Sequence, residues 1–99
     1  MRKVHKIKLD PGMMDSIRNG QMRVQVRWND RDFQAGDHLE LHETVFSGAE
    51  MFNDGKPVEF TGQITHCRIM HVLNGVQFGL VSGFVALSIE FLVELKVGV

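Results

Sequence analysis

Met22-Arg23-Val24-Gln25-Val26-Arg27-Trp28, running on into Asn29-Asp30-Arg31-Asp32-Phe33-Gln34-Ala35-Gly36-Asp37, is the stretch on which the fold turns. Its first seven residues alternate strictly: Met22, Val24, Val26 and Trp28 project one way, Arg23, Gln25 and Arg27 the other, which is the period of a β-strand. The apolar set predicts the core side, with Trp28 inside, and leaves a polar face rich in hydrogen-bonding groups. The following segment has turn chemistry, because Asn and Asp side chains bond nearby amides. Asn29, Asp30 and Asp32 are accordingly expected to structure the turn, with Arg31 held between two aspartates.

Working outward, Val4 to Leu9 alternates around Ile7 and predicts a short first strand. Asp10-Pro11-Gly12 has the composition of a helix start, with Asp10 as the cap and Pro11 in the first turn. Met13, Met14 and Ile17 then fall on one stripe, and Asn19-Gly20 stops a helix of roughly two to three turns. His38 to Thr44 predicts a strand with Leu39 and Leu41 inward. Residues 47–57 read as a loop or hairpin tip. Val58, Phe60, Ile64 and His66 share a face of a further strand, with a bulge at Gly62. Asn74-Gly75 and Ser82-Gly83 mark turns, and Val85 to Val97 alternates for thirteen residues. The order β-α-β-β-β-β predicts one α+β domain over residues 1–99, a mixed sheet curling into a small barrel with one short helix after the first strand. The aromatic residues fall mostly on core-parity positions.

Composition narrows the class. The chain has 99 residues, 43% hydrophobic and 23% charged, which suits one folded domain rather than a disordered segment. No apolar run follows the basic start, and Glu90, Glu94 and Lys96 interrupt the most apolar region, so no membrane segment is expected. The single cysteine, Cys67, excludes an internal disulfide, and a cytoplasmic location is the expectation. The net charge of −1 conceals an asymmetry. Residues 1–31 carry eight basic side chains against three acids (+5), and residues 32–99 carry three against nine (−6). Such a division either provides a local phosphate-binding face or draws the two halves together.

Several chemistries are disfavoured. His38 and His42 lie four strand positions apart, about 13 Å, too far to share a metal ion. His66 and His71 lack a third ligand beyond Cys67, so no metal or cofactor is expected. His66 and Cys67, adjacent on a strand, point to opposite faces, which is wrong for a thiol nucleophile and its base. No glycine-rich phosphate loop, serine elbow or paired catalytic carboxylate stands out, and no catalytic residue is assigned.

The residues nevertheless resemble a family. His5-Lys6-Ile7-Lys8, the helix ending in Asn19-Gly20, and Val24-Gln25-Val26-Arg27-Trp28-Asn29-Asp30-Arg31-Asp32-Phe33-Gln34-Ala35-Gly36-Asp37 are similar to the ASCH superfamily of PUA-like domains, closest to a branch of small uncharacterised proteins of bacteria and phages. Ile64-Thr65-His66, Phe78-Gly79-Leu80 and Gly83 to Ile89 resemble that branch's closing strands, so the likeness covers residues 5–89. It implies a PUA-like barrel with a cleft between the first helix and the glycine-to-arginine strand, RNA binding, and a phage or prophage origin. Some members of the superfamily hydrolyse RNA or deacylate a modified cytidine with a lysine, a threonine and a glutamate. Here the lysine position is Met22 and the glutamate of Glu-x-Arg is Gln25, so neither can move a proton; only Arg27 is retained.

The expectation is therefore binding of RNA, single-stranded nucleic acid or a nucleotide-like ligand, non-catalytic, through Arg23, Gln25 and Arg27, with Lys8 and Arg31 beside the phosphates and Gly20 permitting close approach. Two alternatives stay open. One is a nuclease or nucleoside hydrolase using His5 or His66. The other is a module that blocks a host protein, or a homodimer, formed through the C-terminal strand from Phe91 to Val97.

Overall fold

A computed structural model describes residues 2–76 and 79–92. The element order is β1 (Val4–Leu9), α1 (Met14–Arg18), β2 (Val24–Trp28), β3 (His38–Thr44), α2 (Gly48–Asp54), β4 (Phe60–Leu73) and β5 (Phe84–Phe91). The five strands form one mixed sheet in the order β1-β3-β4-β5-β2, with β1 parallel to β3 and every other pair antiparallel. Strands adjacent in sequence, β1 and β2, thus stand at the two edges, with α1 carrying the chain between them. The domain is a small α+β unit with a curled half-barrel sheet.

The curl comes from β4. Its 14 residues pair with β3 up to Arg68 and with β5 from Cys67 onward, so one strand turns the corner between two neighbours. Two irregularities bend it. Ile64 and Phe60 face His42 and Thr44, leaving surplus residues around Gly62 (φ +91°), the bulge expected there. Between Ile69 and His71 a second shift inserts Met70, after which Val72 rather than an odd-numbered residue packs toward the core. Ile7, Leu9, Met14, Ile17, Phe33, Leu39, Leu41, Cys67, Ile69, Val85, Leu87 and Ile89 form that core. Burial in it pushes the Cys67 thiol up to about 11, so it stays protonated at neutral pH.

Four expectations need correcting. Residues 47–57 are not all loop: Gly48–Asp54 is helical, started by a reciprocal capping box between Ser47 and Glu50 and ended by Gly55 in the left-handed region. Asp10 does not cap α1. That helix begins at Met13 without a side-chain cap and spans only five residues, while Asp10 Oδ1 accepts from the Gly48 amide at 3.0 Å, serving α2 instead. The parity of β2 is inverted. Trp28 is 55% exposed, Val24 and Val26 are exposed too, and Gln25 is 8% exposed. The aromatics do not keep to core positions either, since Phe52 and Phe60 are exposed with Trp28. The strand expected over Val85 to Val97 is observed as Phe84–Phe91; residues 93–99, and with them most of the proposed C-terminal interface, lie outside the described residues.

Trp28 is anchored rather than buried. Its ring meets Phe84 edge-on at 5.4 Å and covers Gly83, which has φ +92°. Any Cβ at position 83 would overlap the indole. Gly83→Ala should therefore destabilise the domain by about 1–3 kcal/mol through left-handed strain and overpacking. A thermal melt should show a Tm lower by roughly 5–15 °C, partly restored when Trp28→Ala is added. An unchanged Tm would contradict the contact.

Candidate ligand cleft

Because β1 and β2 are edges that curl toward each other without pairing, the half-barrel is open along one seam. The seam holds a cleft of about 300 Å³ lined by Asp10, Met13, Met22, Val24, Gln25, Val26 and Arg27. Beyond it lies a hollow of about 250 Å³ between Ile7, Lys8, Arg27, Trp28, Asp30, Arg31 and Phe33. Arg27 lines both, standing at the divide.

The hydrogen bonding of this pair of side chains defines the chemistry. Arg27 Nη2 donates to Gln25 Oε1 at 3.1 Å. Guanidinium has only donors, so this bond fixes the amide's orientation and turns Gln25 Nε2 toward the Met22 thioether, 3.1 Å away, which is a weak acceptor. Gln25 thus retains donor capacity at the cleft. Arg27 Nε is buried and has no hydrogen-bond partner among the described residues. No described carboxylate pairs with Arg27 within 4.0 Å, whereas Arg68 has Glu90 at 3.2 Å. Burial lowers the Arg27 pKa, attraction from Asp10 opposes that, and repulsion from Arg31 adds to it. A partly desolvated cation whose side-chain partner among the described residues is a neutral amide is suited to an anion.

The expected site residues divide. Gln25 and Arg27 meet in the cleft. Lys8 and Arg31 line the adjoining hollow, although Arg31 also spans the seam, its Nη1 donating to the Lys6 carbonyl at 2.7 Å. Gly20 and Arg23 do not join them. Arg23 Nε donates back to the Gly20 carbonyl at 2.7 Å, and both line a separate hollow with Ile89 and Glu90, beyond Met22. In the turn, Asn29 Oδ1 accepts from the Phe33 amide and Asp32, with φ +50°, accepts from Gln34 Nε2. Among the described residues the Asp30 carboxylate pairs with Arg31, at 4.0 Å.

Two residues were not expected at the site. Asp10 enters the cleft because its cap role lies with α2. Asp37 closes the floor of the turn: 2% exposed, it bonds His5 Nε2 at 2.8 Å and accepts from the Lys3 and Gln34 amides, both at 3.1 Å. The Gly36-Asp37 pair next to a strand was the available signal. Of the five histidines, His5 is thereby committed to structure, its ring also packed edge-on against Phe33. Among the described residues no three metal-ligating side chains come together, and no helix is long and apolar enough to cross a membrane.

A family model described as a domain of unknown function, DUF3850, matches residues 4–89. The chain is also similar to an uncharacterised 12.9 kDa protein in the GpA 3′ region of Escherichia phage P2, 40% identical over 45 residues. That match covers 46% of this chain and 41% of the phage protein, so less than half of either.

Proposed function

The chain belongs to the DUF3850 family, and from that footing we propose that it is a PUA-like domain of the ASCH type that binds RNA or single-stranded nucleic acid in the seam between β1 and β2. The observation that carries this reading is Arg27, a partly buried cation that lines a cleft open to solvent and is bonded to a neutral amide with an uncommitted donor. One phosphate accounts for the guanidinium, and an acceptor on base or sugar accounts for Gln25. Lys8 and Arg31 add positive charge on the far side of Arg27. The phage relative supports a phage or prophage setting.

Binding fits these residues better than hydrolysis. Gln25 and Met22 offer no group that accepts a proton near pH 7, and His5 is tied to Asp37. A protein partner is the second reading, favoured by the exposed apolar row Val24, Val26 and Trp28 on the outer side of an edge strand.

Short labelled single-stranded RNA and DNA, titrated across a salt series, test the proposal. Arg27→Met should weaken binding about tenfold and make the salt dependence shallower by about one phosphate contact. Arg23→Ala should leave both nearly unchanged. Absence of binding at low salt would overturn the reading, and capture of a protein that survives nuclease treatment would favour the second.

A further inference from the structure

The cleft does not end at Arg31. Ile7, Lys8 and Arg31 line the hollow inside the seam and also a groove of about 290 Å³ on the outer side of the sheet, completed by Lys6, His42 and Phe60. The two spaces share three residues, and the inner one shares Arg27 with the cleft. The three spaces therefore adjoin in turn, and the path they mark leads from the Met22 cleft, past Arg27, to Lys8 and to Arg31, which is bonded to the Lys6 carbonyl at the β1 edge, and then to Phe60.

Its chemistry changes along the way. The cleft presents thioethers, an amide, one cation and the Asp10 carboxylate, whose Oδ1 accepts from the Gly48 amide. The rim presents Arg31 and Lys8, with the Asp30 carboxylate 4.0 Å from Arg31. The outer groove sets three cations around an aromatic ring that is 54% exposed at the start of β4, with the His42 ring edge-on to it at 6.0 Å. No acid lines that groove; Glu40 approaches Lys6 to 3.9 Å but is bonded to His42 at 2.9 Å. Cations spaced along a path that ends on an exposed aromatic ring match the alternation of phosphates and bases in a single strand.

We infer that the protein holds a short single strand of nucleic acid along this path, one nucleotide in the cleft, the following phosphates on Arg31 and Lys8, and a second base stacked on Phe60. This rests on the nucleic-acid reading of the cleft and extends it to a surface on the opposite side of β1. Phe60 and Lys8 become affinity determinants only for strands longer than one nucleotide.

Length dependence separates the two ideas. Uridine and adenosine monophosphates would be titrated by NMR, following the Gln25 side-chain amide, and labelled oligouridylates and oligoadenylates of two to eight nucleotides by fluorescence anisotropy. The expected result is an affinity that climbs between one and about four nucleotides. Phe60→Ala should remove at least about fivefold of that gain, the lower end of stacking one base on an aromatic ring, while leaving mononucleotide binding unchanged, and Phe60→Tyr should retain it. Circular dichroism would confirm that both variants fold. Mononucleotide binding with no gain on lengthening, or a gain insensitive to Phe60→Ala, would overturn the path while leaving the cleft reading standing. No binding of any probe would overturn both.

Discussion

Replacing Asp37 by alanine is expected to lower the unfolding free energy by about 3–5 kcal/mol, the range for removing one member of a buried, hydrogen-bonded pair. The carboxylate holds three donors from two separate segments: the His5 ring, the Lys3 amide at the start of the chain, and the Gln34 amide in the turn. Alanine would leave all three buried or half-buried without a partner, and each lost partner costs desolvation energy. The connection also fixes the site, since it clamps the loop carrying Arg31 against β1. The effect should depend on pH. Burial pushes the Asp37 carboxyl up, but the His5 bond and the two amides outweigh this and hold it below its usual value of 3.8. A carboxyl depressed by folding contributes stability that is present above its unfolded pKa and is lost as pH falls through the folded one. Urea melts at pH 7, 5, 4 and 3 should show wild type losing stability below about pH 4, and Asp37→Asn should flatten that decline. A variant as stable as wild type at pH 7, with the same acid limb, would refute the clamp.

Gln25→Glu should weaken nucleic-acid binding about a hundredfold, more than deleting the Arg27 charge. The glutamate would pair with Arg27 where the amide oxygen now sits 3.1 Å away, cancelling the cleft's cation as Arg27→Met does. It would also convert the uncommitted donor into a second acceptor, facing whatever acceptor the ligand presents, and like charge in a confined site costs several kcal/mol. The value of the Gln25 amide on this reading is that it orients Arg27 without neutralising it. Anisotropy titrations of the same short RNA and DNA probes, beside Gln25→Met, provide the check. Gln25→Met should lose only the amide's hydrogen bond, about 1 kcal/mol or fivefold. Equal affinities for wild type and Gln25→Glu would mean that the ligand avoids this pair.

Much of the fold was legible in the chain because it is written in local alternation. The span of β1, that of β3, the bulge at Gly62 and the stop at Asn19-Gly20 each follow from a period of two or from a residue that tolerates left-handed backbone. The turn chemistry of Asn29 and Asp32 was likewise local. The helix α2 was less legible, since none of its residues is buried and no apolar stripe marks it; Ser47, Glu50 and Gly55 were the signal.

The sequence by itself determined that Gln25 and Arg27 share one face of the strand and that Val24, Val26 and Trp28 share the other, whereas Met22 and Arg23, just before β2, do not keep to those faces. Only the tertiary structure decided which face turns inward. Alternation specifies two sides of a strand but not their environments, and hydrophobicity would have put Trp28 in the core. The curl at β4 instead makes β2 an edge of an open seam, so its inner side meets a cleft rather than a second packed layer, and Gln25 and Arg27 turn into it. The same curl separates Arg23 from Arg27 and brings Asp10, Lys8 and Arg31 to the seam from other segments. Those meetings depend on strand order, which is settled by contacts between residues far apart in the chain and has no local signature.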